Sequence, residues 1–349
     1  MNKVSVAQRA SEPSNRPALM RNLRAVLLLR GAQRFMLIAS ILVPFFAHYG
    51  QDIQEIFWLE SFYALTVLLM EVPSGYLADR YGRVAVLRAG AVLWSLSWLL
   101  LLSVDDFTGL MVFELLGGIA TALLSGADLA LLFDTERELA QREAERPNRA
   151  VRKLFVIGMV AEGAASLSAT VLLFNGGINL VITTQTGCGL LVFLASLFLY
   201  EPTRSRQPNT PRHGEFQKLC NVLGALWRQS VFMRRLLGAL CSWPVVNVLA
   251  IWLMQRVWVE LELGLVHFGW IWCLLQVVGA VTGHVAHDAE RLIGPSRVIY
   301  LIAALALAGL LMLGASDLAL ALIGSVLLLA ARGFFSVLFM DAMNHRIAS

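Results

Sequence analysis

Long apolar runs broken by short polar punctuation fill the chain from residue 24 to residue 340. A helix needs about 20 consecutive apolar residues to cross the ~30 Å hydrocarbon core of a bilayer. That ruler predicts ten helices, near 24–48, 54–77, 84–104, 107–133, 154–174, 178–200, 233–255, 265–287, 297–315 and 317–340. The largest polar interruption, EPTRSRQPNTPRHGE, follows the sixth helix and has the Pro-rich, charged make-up of a linker. After it, FQKLCNVLGALWRQSVF sets Phe216, Leu219, Leu223, Leu226 and Trp227 at helical spacing among Lys218 and Arg228. This segment reads equally as an amphipathic helix on a membrane surface or as an early start of the seventh helix. The predicted organisation is a tail (1–23), a six-helix N-terminal bundle (24–200), a linker with the amphipathic segment (201–232) and a four-helix C-terminal bundle (233–349).

Composition agrees with the pattern. The chain is 58% hydrophobic and 15% charged, with mean hydropathy +0.68, whereas a soluble domain carries about 25% charged residues. Most of the surface is therefore expected to face lipid. The front of the chain, MNKVSVAQRASEPSNRPALMRN, is polar and basic and lacks a cleavable-signal pattern. Cys188, Cys220, Cys241 and Cys273 are scattered without metal-ligand spacing.

Charge placement decides orientation. The basic residues cluster in the tail, after the second helix (Arg80, Arg83, Arg88), between the fourth and fifth (Arg137 to Lys153) and between the sixth and seventh. Arg291, Arg297, Arg332 and Arg346 continue the same side. The opposite loops hold Arg256 with Asp52, Glu55, Asp105, Asp106, Glu260, Glu262 and Asp317. Such asymmetry is the positive-inside signature, so both termini and the even-numbered turns are predicted cytoplasmic. The pI near 9.0 then reflects attraction to the inner leaflet, not a nucleic-acid partner. No P-loop, GxSxG or ATPase pattern occurs, so neither enzyme activity nor a cofactor is expected.

Between the second and third helices stands GYLADRYGR, with Gly75, Asp79, Arg80, Gly82 and Arg83. It resembles the loop motif of the major facilitator superfamily. Topology alone accounts for the arginines but not for Asp79 or the glycine spacing. The resemblance implies a cytoplasmic gate, in which the aspartate locks the two halves when the transporter opens outward. EVPSG ahead of the loop, LSGADLALLFDT at the end of the fourth helix and WLMQRVWVELELGLVHFG in the second half are similar to a bacterial subgroup. VGAVTGHVAHDAERLIG sits where the family's internal duplication puts a degenerate copy of the motif, with Asp288 and Gly294 as remnants. The implied fold is an all-α polytopic membrane protein, six helices plus an incomplete four-helix bundle, in a bacterial inner membrane. Two departures stand out: ten helices against the family's usual twelve, and Glu114 in FELLGG where the family often carries an arginine. The fifth helix, EGAASLSATVLLF, lacks the family's Gly-Pro antiporter pattern.

Mechanism is sought among ionisable residues at membrane depth, each costing about 2.5–3.5 kcal/mol at a helix centre. Arg30 and Arg34 lie four apart on one helix face, and Arg34 is about 15 Å beyond Arg24 at 1.5 Å per residue. Its candidate partners are Glu71, Glu114, Asp128 and Glu162, or a substrate anion. Glu114 and Asp128, fourteen residues apart, would share a face of one helix. Bland readings stand beside these. Glu71 can close a helix contact above Pro73, Glu60 lies near the outer surface, and Asp134 lies at the cytoplasmic end. His284, His287 and Asp288 have metal-site spacing but sit at a solvated turn, so no metal is assigned. Trp94, Trp98, Trp243, Trp252, Trp258, Trp270 and Trp272 suit interfacial belts, while Trp252 and Gln255 are alternative cavity-lining residues.

The expectation is alternating-access transport of a small organic solute, anionic or zwitterionic, with protons as the coupling ion and export favoured over import. The competing expectation is a non-transporting, truncated remnant or scaffold that needs a partner to complete the bundle.

Overall fold

The computed structural model describes residues 16–143, 149–202 and 249–347, all helix and connecting turn with no strand among them. Segment 216–227, Trp243 and most of the predicted helix 233–255 lie outside the described residues. Eight helical stretches are long and apolar enough to cross a membrane. They take up nine of the ten predicted helices, because 154–174 and 178–200 join in one run, Arg149–Ser196 (α7), broken only at Gly177 (φ 67°, ψ −164°).

Contacts divide the chain into two units: residues 1–35, 57–161 and 183–212, and residues 36–56, 162–182 and 213–349. The helices are α1 (Arg16–Arg34), α2 (Leu42–His48), α3 (Ile53–Tyr81), α4 (Arg83–Leu100), α5 (Phe107–Leu124), α6 (Ala127–Glu143) and α7. Beyond residue 248 come α8 (249–260), α9 (Val266–Ile293), α10 (Pro295–Leu313) and α11 (Leu318–Ile347).

In the first unit α4 runs antiparallel to the second arm of α7. The Ser95 hydroxyl donates to the Gly189 carbonyl at 2.9 Å, and the Thr186 hydroxyl to the Trp98 carbonyl at 3.3 Å. At the other end, Arg88 donates to the carbonyls of Ser196 (3.4 Å) and Leu199 (3.2 Å). Trp94, Trp98 and Phe113 form an edge-to-face chain with centroids 6.1 and 5.2 Å apart. The belt expectation therefore fails for Trp94, Trp98, Trp252, Trp258 and Trp272, which are buried. Their ring areas fill helix contacts, and of the seven only Trp270 is exposed among the described residues.

The predicted fourth helix is two. α5 ends at Leu124, Ser125 is extended (φ −68°, ψ 146°), Gly126 has φ 74°, and α6 starts at Ala127. Hydrophobicity runs unbroken through LLSGADLALL, which is why a pattern-based reading joins them; only Ser-Gly marks the stop.

In the second unit α9 and α11 run parallel, and α10 antiparallel to α11. Small residues let their backbones meet: a Cβ on Gly333 would fall on Thr282 Oγ1, the Gly279 carbonyl and the Gly283 nitrogen. Ala286, Val298, Ile302, Ala331, Phe334 and Phe335 form the core of these three helices.

Candidate functional site

The loop GYLADRYGR closes the gap between α3 and α4 with a single residue outside both helices. Gly82 takes φ 94°, ψ 150°, a region essentially reserved for glycine. The Glu201 carboxylate fills the room beside it, receiving the backbone N–H of Arg83 at 3.2 Å and of Val84 at 2.7 Å. It thereby caps the N-terminus of α4, where a negative charge is favoured. Nothing in GYLADRYGR itself pointed to Glu201; its place directly after the sixth predicted helix was the available signal. Arg83 pairs with Asp134 (2.6 Å) and donates to the Ala130 carbonyl. Arg80 bonds the Tyr76 hydroxyl (3.1 Å) and lies over the Tyr81 ring. Asp79 is exposed and forms no ion pair with a described residue, and Gly75 has open space where a Cβ would stand.

The second half repeats the turn. Gly294 has φ 87°, ψ 154°, its N–H bonds the Glu290 carbonyl, and its own carbonyl accepts from Val298. Gly82 makes the same pair of bonds, to Ala78 and from Val86. With the two glycines matched, Asp79 corresponds to Arg291, so Asp288 lies one helical turn out of register. Only the glycine is duplicated.

A second cluster lies inside the first unit, at membrane depth. Arg30 meets Asp128 at 3.2 Å, with the aspartate side chain 5% exposed. Asp128 also accepts the Leu129 N–H at 2.6 Å. Arg34, one turn on, is exposed and forms no hydrogen bond or ion pair with a described residue. Its stem runs past Gly158, where a Cβ would be 3.5 Å from Arg34 Cγ. The Tyr63 hydroxyl bonds Thr121 Oγ1 at 2.9 Å and lies within electrostatic reach of Arg34, Glu60 and Glu114. Glu114 is 6% exposed and makes no hydrogen bond or ion pair with a described residue; Glu60 is the charged group facing it. Each of these two glutamates is seven residues into its helix, about 10 Å deep.

The structure thus gathers Arg30, Arg34, Asp128 and Glu114 in one neighbourhood. It adds Glu60, which sequence reading had assigned to the solvated surface, and Tyr63. The signal for both was present: Glu60 and Tyr63 are three apart on α3, and Glu114 and Thr121 seven apart on α5. The shared face of Glu114 and Asp128 does not exist as predicted, because the chain breaks at Ser125–Gly126 between them. Glu71 is exposed on α3 and takes no part in the cluster. Glu162 belongs to the other unit, half-buried, its backbone carbonyl receiving the Ser166 hydroxyl at 2.7 Å. No group of three metal-ligating side chains occurs among the described residues.

The sequence profile of the Major Facilitator Superfamily matches residues 25–349. The chain belongs to this superfamily. Among solved structures the major facilitator fold is matched by the nucleoside transporter NupG, with TM-score 0.73 and 14% identity, over 94% of this chain and 84% of that one. A bacterial homologue of the human lysosomal transporter Spinster, inward-facing and unoccupied, gives TM-score 0.60 and 16% identity, over 94% of this chain and 74% of that one. A D-xylose–proton symporter gives TM-score 0.55 and 14% identity, over 95% and 82%. At such identities the likeness shows the fold alone. A search of curated protein sequences gave no match. Membership in the superfamily makes the chain a multi-pass membrane protein of transporter type, not of an enzyme family.

Proposed function

We propose that this chain carries a small organic solute across a bacterial inner membrane by alternating access, with both termini cytoplasmic. The observation that supports it most is Arg34. This guanidinium at membrane depth is exposed and makes no ion pair or hydrogen bond with a described residue, while Arg30 four residues away pairs with Asp128, so it is available to an anion. An anionic or zwitterionic solute fits it. Glu114, buried opposite the Glu60 carboxylate, supplies a group able to take up and release a proton, which supports proton coupling. Export is the favoured direction. The Asp79 loop is the proposed cytoplasmic gate, with Arg80, Arg83 and the two glycines of the motif.

The test is flux in liposomes containing the purified chain, with a panel of dyes and organic anions, under an imposed pH gradient and without one. Gradient-dependent movement of an anionic probe, lost in Arg34→Ala, is the expected result. The second reading, a scaffold that needs a partner, is favoured by α3, which exposes Leu65, Leu68, Leu69 and Val72 around Glu71. Hydrocarbon is a poor neighbour for that carboxylate. Absence of flux from a folded chain for every probe, with flux restored by co-purified membrane protein, would favour it.

A further inference from the structure

The first membrane segment is not one helix. After Arg34, Met36 is extended (φ −106°, ψ 101°), Leu37–Ile41 form a 3-10 turn, and α2 begins only at Leu42, with Ile41 at φ −131°, ψ 29°. In an uninterrupted α-helix the Val43 N–H would donate to the Ala39 carbonyl, four residues back. Here both groups bond instead to one side chain. The Val43 N–H donates to Gln255 Oε1 at 3.0 Å, and Gln255 Nε2 donates to the Ala39 carbonyl at 3.0 Å.

A primary amide presents a donor and an acceptor side by side, the same pair a peptide group offers. Gln255 therefore stands in for both ends of a single missing ladder bond, and it is fully buried, at 0% exposure. The cavity-lining expectation for this residue is thereby corrected: its amide is spent on backbone. Pro44 falls in the first turn of α2, where its missing N–H leaves no ladder bond unmade. The far side of the clamp is anchored, because Trp258, one turn beyond Gln255, packs edge-to-face on Phe268 at 5.1 Å. All these residues belong to one unit.

A permanent break could be satisfied by local groups, as the Ser40 hydroxyl does for the Leu37 carbonyl at 3.3 Å. Here the partner instead comes from 212 residues away, so the shape of the first span depends on where α8 stands. We propose that Gln255 is a positioning residue for transport: its amide holds the first span open at Ala39–Val43. Its withdrawal lets the Val43 N–H close on the Ala39 carbonyl. The exchange keeps both buried backbone groups bonded in either state, which is what a two-state element requires.

The test needs no substrate. In the full chain in lipid nanodiscs, amide exchange is followed across residues 37–46, and nitroxide labels at Met36→Cys and His48→Cys, both in the unit that holds Gln255, report the distance across the break. In Gln255→Leu, exchange is expected to be no faster than in the unmutated chain. The label distance is expected to shift towards about 18 Å, the length of about 12 residues of continuous helix. Exchange at least about tenfold faster, with the distance unchanged, would mean the amide only plugs a fixed break and would overturn the proposal. Should Gln255→Leu fail to fold, the chain with native Gln255 decides alone: two distance populations are expected, and a single narrow one refutes the switch.

Discussion

Two arginines four residues apart on α1 have opposite roles in stability. Arg30 offsets Asp128, whose side chain is 5% exposed, so Arg30→Ala leaves a buried charge uncompensated. Breaking such a pair costs about 3–5 kcal/mol, and a clear drop in thermal unfolding temperature in detergent is expected. Arg34 has no described partner and is exposed, so Arg34→Ala should change stability by no more than about 0.5 kcal/mol. In the same variant, gradient-driven flux of an anionic probe should fall at least about tenfold. A flux loss in Arg30→Ala that follows the amount of folded protein, beside one in Arg34→Ala that does not, would separate the two roles. The four-residue spacing was legible in the sequence; the choice of partners was not. It depends on the break at Ser125–Gly126, which turns Asp128 into the first turn of a new helix and leaves Glu114 beside Glu60 and Tyr63.

Among elements, the α3–α4 turn shows which part of a motif is geometry. Gly82→Ala places a Cβ at φ 94° and within 3.2 Å of the Glu201 carboxylate. A non-glycine residue in that region costs about 1–3 kcal/mol. Gly294→Ala, at φ 87° with no neighbour within 4 Å, isolates the backbone share of that cost. Gly75→Ala lies in open space on a helix, where alanine is better than glycine by about 0.5–1 kcal/mol. The expected order of unfolding temperatures is therefore Gly75→Ala highest, then Gly294→Ala, then Gly82→Ala; a Gly75→Ala chain as damaged as Gly82→Ala would contradict it. Apolar run length located the spans because burial in lipid demands it, whatever the helix does inside. Breaks within spans were hidden, since a kink at Gly177, a stop at Ser125 or the turn after Arg34 leaves hydrophobicity untouched. One of those breaks, the turn after Arg34, rests on a partner distant in sequence, Gln255.

At the scale of the whole molecule, orientation rests on charge alone, because helix packing is the same whichever way the chain is inserted. The formal net charge is only +4, yet the basic residues fall almost entirely on one side of the predicted spans. Lys and Arg near span ends are retained on the cytoplasmic side, and α4 provides a short ruler for testing this. Tyr81, the last residue of α3, and Asp105, in the turn after α4, are exposed, about 36 Å apart if the intervening residues rise as a helix. With the four native cysteines replaced, Asp105→Cys should react with an impermeant maleimide in spheroplasts and Tyr81→Cys should not; inside-out vesicles should reverse the result. The reversed pattern in spheroplasts would put the Asp79 loop outside and remove the proposed cytoplasmic gate, while leaving the Arg34 cluster and the Gln255 clamp intact. Labelling of both sites from one side would mean that α4 does not span, and the ten-helix topology would fall with it.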